Sequence, residues 1–486
     1  IDLSGVYFGA DDVYPAGLFA QANSEDTGRG GTLNIETRRL SISNGARVQV
    51  ATFGSANAGD LFIRASEIDV FETPRARYPY FAAAISGGVL TTRGATKPPT
   101  GNGGNVNIVT NRLTVRDGGR VTMTTEGEGN AGKLQIHATD SVEVFGTAPG
   151  ALYRDASEPP NSEISAAVVQ KSTGNGGSLS INTEKLIIRD RGMVTVRNEG
   201  KGGTSQAGNS EINARSINLD QGTITATTNS GNGGDITLTL KDLLLLRNNS
   251  IISTTAGTAQ QGGNGGNITI NAPSGFIVSV PNENSNITAN AFSGSGGKVT
   301  INANSIYGLT VFSREELARL LKTDDLTQIN FQRLPSSITA ISQTSPTLNG
   351  QVNLNTPDVD INRGLVQLPI EVVDAAGLIN QNFCAVTAGT GSSFTMTGRG
   401  GLSSSPDSQL SSDTVWEDWE LTTVQHEHRP ITAKNPQLFT PKRATPEPIV
   451  EANSWVKNKK GEIELTAAPP TVMPLGSIFN TSSCHR

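Results

Sequence analysis

Histidine is scarce in this chain, and two of its four copies stand together in His426-Glu427-His428. On a strand that spacing puts both imidazoles on one face, the beginning of a metal site. A third ligand would come from Glu417 or Asp418; the alternative is a solvated loop. Cleaving a polysaccharide needs carboxylates or bases gathered across neighbouring segments. Adjacent acids occur at Asp11-Asp12 and Asp324-Asp325, and neither has a matching acid one repeat away. No Gly-x-Ser-x-Gly elbow appears with suitable partners, and no phosphate-binding or dinucleotide fingerprint is present. The chain is therefore expected to be no enzyme and to carry no cofactor and no metal, with His426 and His428 as weak metal candidates. Cys384 and Cys484 are the two cysteines. Joining them would close a loop of about 100 residues, worth roughly 4.7 kcal/mol on the chain-entropy model. A disulfide is the expectation, two free thiols the alternative.

These groups must be positioned by something, and composition says what. Glycine contributes 54 of 486 residues, while aromatics make up 5 % and charged residues 17 %. With abundant Asn, Ser and Thr, this suits many short strands joined by tight turns. The net charge of -6 argues against a nucleic-acid footprint, which needs clustered Lys and Arg. No apolar run is long enough to cross a bilayer as a helix.

A Gly-rich turn followed by alternating apolar residues recurs along the chain. Gly103-Gly104-Asn105-Val106-Asn107-Ile108 returns as Gly176-Gly177-Ser178-Leu179-Ser180-Ile181 and Gly233-Gly234-Asp235-Ile236-Thr237-Leu238. It appears again at Gly265 and Gly296, and more weakly at Gly30, Gly59, Gly132, Gly208 and Gly350. Within one repeat three short strands are legible, as in Asn267–Asn271, Phe276–Val280 and Ile287–Ala289. One repeat cannot bury its apolar face alone, whereas coils stacked about 4.8 Å apart can. The expected fold is all-β: a right-handed parallel β-helix of about ten three-strand coils over 1–368. A propeller blade would need about 40 residues, and a calcium-binding nonapeptide helix would need an Asp that these turns lack. Asn182, Asn271, Asn302 and Asn355 occupy equivalent positions and are expected to stack as a ladder or to be solvated.

Three repeats carry insertions at one corner, between the second and third strands: near 71–80, 146–162 and 313–336. The last should contain a short helix around Glu315–Leu321. These insertions are expected to protrude and to form an interaction edge, with Arg75, Arg77, Tyr78, Tyr80, Tyr153 and Arg154 as binding candidates. Deleting Gly146–Ser162 is expected to leave folding intact. The chain opens out of phase. Ile1–Phe8 reads as a second strand, Asp11–Pro15 as an insertion and Leu18–Ala22 as a third strand, so more chain is expected to precede Ile1.

With these repeats in hand, the sequence resembles cyanobacterial filamentous-haemagglutinin-like exoproteins of the two-partner secretion type. Phe394-Thr395-Met396-Thr397-Gly398-Arg399-Gly400-Gly401-Leu402, followed by Trp416-Glu417-Asp418-Trp419, is similar to a signature of that group. Glu451-Ala452-Asn453-Ser454-Trp455-Val456 through Glu464-Leu465 resembles its closing segment. The resemblance implies a secreted β-helix exported through an outer-membrane partner transporter, with an adhesin or envelope role at the outer cell surface. The family's amino-terminal secretion domain has no counterpart in these residues.

Beyond the repeats, 369–486 is expected to be a cap, a Ser- and Pro-rich linker and a small hairpin, with strands at Trp455-Val456-Lys457 and Glu462–Leu465. The leading expectation is a non-catalytic rod presenting loops for attachment to surface glycans or envelope proteins. A glycan-binding or polysaccharide-cleaving β-helix and a self-associating envelope scaffold are the alternatives.

Overall fold

The computed structural model describes residues 1–8, 13–23, 28–72, 82–91, 95, 97–148, 159–169, 172–200, 206–328, 334–357, 454–457 and 463–466. The chain divides into two units, Ile1–Gly364 and Leu365–Arg486. The first is a parallel β-helix, wound with the right hand that parallel crossovers take. Its two sheets each hold eleven strands, and successive coils are neighbours throughout. In the second unit, Ser454–Lys457 and Ile463–Thr466 pair antiparallel, which is the hairpin read from the sequence.

Each coil contributes one long and one short strand rather than three separate ones. Ile268–Ser279, read from sequence as two strands, runs unbroken, and Asn286–Thr288 follows. The sequence break at its middle is a change of phase. Burial alternates through Ile268, Ile270 and Ala272, passes two exposed residues, and resumes at Gly275 and Ile277. The ladder to the next strand slips there, between Ala272 and Phe276. Such an irregularity bends a strand without ending its pairing. A third line of parallel bridges joins Val168, Asn198, Thr228, Ala256, Ala291 and Ser342.

Identical positions in successive coils form columns. Ile35, Ile63, Ile108, Ile136, Ile181, Ile212, Leu238, Ile270 and Ile301 follow one another in register, all buried. Val48, Ile85, Val121, Ile164, Val194, Ile224, Ile252, Ile287 and Ile338 form a second column from the short strands. β-branched side chains suit such columns because they are stiff and pack well on a pleated face. Full burial of each stabilises by roughly 1.5–3 kcal/mol. The first column ends at Leu354, which is 42 % exposed.

The stacked glycines of the turns are explained by crowding, while Gly231 and Gly263 beside them take left-handed angles. Gly31, Gly59, Gly104, Gly132, Gly177, Gly208, Gly234, Gly266, Gly297 and Gly350 stack in one column. A Cβ on Gly132 would lie 1.5 Å from the carbonyl oxygen of Gly104, and one on Gly104 1.8 Å from that of Gly59. Asparagines beside them join the coils. Asn102 N–H donates to Asn57 Oδ1 at 2.8 Å, Asn130 N–H to Asn102 Oδ1 at 3.0 Å and Asn175 N–H to Asn130 Oδ1 at 2.9 Å. The strand-face asparagines pair in part: Asn213 donates to Asn182 and Asn355 to Asn302.

Candidate functional site

Insertions leave the coil where a long strand ends and a short one begins. Where the corner is tight it needs positive φ, at Asn44-Gly45, Asp117-Gly118, Asp190-Arg191 and Gln221. Where chain is inserted, one buried side chain holds the point of re-entry. Ser162 is fully buried, accepts the Gly118 N–H at 2.9 Å and donates to the Phe145 carbonyl at 2.6 Å. Ser336 accepts from Ser285 N–H and donates to the Val280 carbonyl. Ser285 in turn accepts from Ser250 N–H at 3.3 Å. At the insertion after Phe71 the same task falls to Glu72, 5 % exposed, which accepts from the N–H groups of Gly45 and Ala83. Each clamp accepts from buried main-chain donors and so meets part of their hydrogen-bonding need. The frame therefore holds the ends of an insertion whatever lies between them.

Just ahead of this corner runs an outward ladder: Ser43, Phe71, Arg116, Phe145, Arg189, Asp220 and Arg247. The Arg116 guanidinium lies 4.0 Å from the Phe71 ring centroid, and that of Arg189 3.8 Å from Phe145. Such contacts are worth about 0.5–1 kcal/mol at exposed sites. Arg116 also grips Asp69 with two bonds, 3.2 and 3.0 Å, and Arg247 grips Glu283 at 2.7 and 2.8 Å. The bonds from Arg247 and the Asn248 N–H lower the Glu283 carboxyl below its ordinary range. Partial burial lowers the Arg116 pKa, but Asp69 and Asp117 outweigh it and raise the value. Along the bend of the long strands, Arg112 bridges Glu67 and Asp140, and Arg215 bridges Glu184 and Asp242. A shallow depression of about 290 Å³ lies between ladder and bend, lined by Arg39, Glu67, Asp69, Arg112, Glu143 and others.

These carboxylates face arginines, not each other. The arginines lower the carboxyls of Glu184 and Glu283, the opposite of the raised pKa a general acid needs. Among the described residues no group of three or more His, Cys, Asp and Glu side chains could hold a metal ion. The most perturbed acid is Glu163, on the short-strand sheet. Burial alone would raise its pKa, but Arg197, 2.9 Å away, and Arg120 together hold it at about 2. Arg197 also binds Glu199 at 2.8 Å.

Arg75, Arg77, Tyr78, Tyr80, Tyr153 and Arg154 lie outside the described residues, as do His426, His428, Cys384 and Cys484. The described part of the edge offers a different aromatic pair. Val6–Phe8 and Val13–Pro15 form an antiparallel hairpin at the first such corner, with Tyr7 opposite Tyr14. They are 72 % and 56 % exposed. The echo of Val6-Tyr7-Phe8 in Val13-Tyr14-Pro15 was the available signal. On either side of it the out-of-phase reading holds: Asp2–Ser4 pairs with Ser41–Ser43, and Gly17–Ala22 with Arg47–Thr52.

The third insertion does not stand free. Ser313 caps the helix Arg314–Leu321 with a capping box. Leu317 packs with Leu326, Leu334 and Ile341 in a small core of its own. Arg314 donates to the carbonyls of Ser342 and Gln343. Thr310–Val311 pairs with Ser337–Ile338 and forms the last strand of the short-strand sheet. This insertion is held against the coil at Ile341–Gln343 rather than standing clear of it as expected.

No family model, no curated protein and no solved structure matches this chain. No helix among the described residues is long and apolar enough to cross a membrane.

Proposed function

We propose that this chain is a secreted structural or adhesive exoprotein of the outer cell surface, a non-catalytic rod that presents loops for attachment. The observation that carries the reading is the clamped corner. Insertions of different length leave one edge of a stack whose remaining outward groups are largely satisfied by one another. A frame that fixes loop ends and leaves their content free is suited to presenting contacts. Surface glycans or envelope proteins are the proposed targets, and an outer-membrane transporter the proposed route of export. Both follow the resemblance of the repeats and of Phe394–Leu402 to two-partner secretion exoproteins.

A second reading, glycan binding along the rod, rests on a polar trough over Glu36, Thr37, Arg38, Arg64, Asn111 and Thr139, about 590 Å³ in volume. The experiment is retention of purified chain on isolated cell envelopes and on immobilised glycans. Arg75→Ala, Arg77→Ala, Tyr78→Ala and Tyr80→Ala combined should reduce retention at least tenfold with unchanged thermal unfolding. Retention that ignores these changes but falls with Arg64→Ala would favour the trough. Retention by neither route would sink the attachment reading.

A further inference from the structure

Six Asn-Gly sequences lie in the described stack: Asn44, Asn102, Asn175, Asn232, Asn264 and Asn349, each followed by Gly. This dipeptide is prone to ring closure, in which the glycine nitrogen attacks the asparagine side-chain carbon. Glycine leaves that nitrogen unhindered. The stack answers in two ways. At five of the six sites the glycine N–H donates to a main-chain carbonyl: Gly103 to Asn130, Gly176 to Gln206, Gly233 to Asn264, Gly265 to Ser295 and Gly350 to Ala340, all at 2.8 to 3.0 Å. Four of those asparagines also accept a main-chain N–H of the following coil through Oδ1. Asn349 does so from Ser342 N–H at 3.2 Å. Carbonyl and amide partners of this kind hold the reacting groups apart and are poor bases.

Asn44-Gly45 is built differently. The Gly45 N–H donates to a carboxylate, Glu72 Oε1, at 3.0 Å, and that carboxylate is buried. The Asn44 side chain stands outside the asparagine ladder, with Nδ2 donating to Ser4 Oγ at 3.2 Å. Asn44 has φ 56°, at a tight corner between two inserted ones, and its own N–H reaches the Phe71 carbonyl at 3.3 Å. Two coils on, the same corner is Asp117-Gly118, and there the glycine N–H meets the neutral Ser162 hydroxyl instead.

We infer that Asn44-Gly45 is a self-modifying site, with Glu72 as the general base that draws the proton from the Gly45 nitrogen. The nitrogen bonds to Asn44 Cγ, the Cγ–Nδ2 bond breaks, and the abstracted proton leaves with the departing amine as ammonia. Water then opens the five-membered ring to aspartate or, with an added main-chain methylene, isoaspartate. No oxidant or reductant takes part. The product places a new negative charge beside Ser4 and loosens the corner that holds the Tyr7–Tyr14 hairpin and Glu72. The site thus sets a slow chemical change at the root of the insertion edge, independent of what that edge binds.

Peptide mapping of the folded chain after incubation in water labelled with heavy oxygen tests this directly, since label marks conversion in the tube. Asn44 should convert on the order of a hundredfold faster than the other five, the lower range of general-base catalysis. In denaturant all six should convert at similar rates. Glu72→Gln keeps an accepting oxygen but no base, and should bring Asn44 down to the rate of the others. The pH profile of the wild-type chain provides a second readout that needs no variant. Conversion at Asn44 should rise less steeply with pH than at the other five sites, because carboxylate catalysis adds a path that does not depend on hydroxide. An intact Asn44 amide in the folded chain, or an unchanged rate in Glu72→Gln, overturns the inference.

Discussion

Two corners of each coil bring the main chain round, and they do so by opposite means. At the Gly-rich turn the backbones of successive coils touch, so that Gly132 has no room even for a methyl group. At the insertion corner the chain is held by side chains: Ser162 and Glu72 bond main-chain groups across their own insertions, and Ser336 bonds the preceding coil at Val280 and Ser285. The first corner fixes residue type where the glycines stack, although the chain leading into it varies in length from coil to coil. The second fixes two end points and nothing between them. The longest insertions leave the stack at the second corner, where hydrogen bonds rather than contact close the coil.

The comparison breaks most visibly at the crowded corner. Gly132→Val should cost more than the about 3 kcal/mol usual for overpacking, because the clash is with a carbonyl and no side chain can yield. The expected outcome is no cooperative thermal transition. A stable, folded Gly132→Val chain would mean that the turns are looser than their contacts indicate.

Next in size is the buried charge. Arg197→Met leaves Glu163 with Arg120 as its remaining cation, and should cost about 3 kcal/mol in chemical denaturation, the low end for a broken buried pair. Because the folded pKa of Glu163 lies at about 2, below its ordinary 4.5, its contribution is complete above about pH 4.5 and is lost as pH falls towards 2. Glu163→Gln should flatten that part of the stability profile. An unchanged profile would show that other carboxylates govern acid unfolding.

Smaller again is the clamp. Ser162→Ala removes the hydroxyl that accepts the Gly118 N–H and should cost about 2 kcal/mol, read as a fall in denaturation midpoint. Smallest is the loop itself. Replacing 149–158 by two glycines should change stability by less than about 1 kcal/mol, since closure entropy varies slowly with length. The replacement must spare the Thr147–Asn161 bridge and Ser162. Removing all of Gly146–Ser162 takes the clamp away with the loop, so the tolerated deletion is narrower than the sequence indicates.

Period and fold class were legible because they rest on patterns that sequence displays directly: alternation and Gly pairs. The cause of the Gly pairs was not, because crowding and left-handed angles select the same residue. The asparagines of the turns, such as Asn102 and Asn130, read as turn formers, yet their side chains join coils. The continuous long strand was hidden by its own bend, where two exposed residues look like a gap. Ser162 and Ser336 resemble any loop serine until burial is known. A short helix around Glu315–Leu321 was expected and is present as Arg314–Leu321, but its packing on Leu326, Leu334 and Ile341 depends on residues distant in sequence. The Phe71–Arg116–Phe145–Arg189 ladder was available in principle, since each residue ends a long strand just before the corner.

Native-state hydrogen exchange tests most directly whether the insertion corner is as rigid at its roots as the crowded corner. The N–H groups of Gly118, Ser250 and Ser285, all bound by clamp serines, should exchange as slowly as those of Gly103 and Gly233 in the Gly-rich turns, by opening of the whole stack. Exchange at the clamped amides orders of magnitude faster than at the glycine turns would contradict the account, leaving the loops tethered to a frayed edge rather than presented by a rigid one.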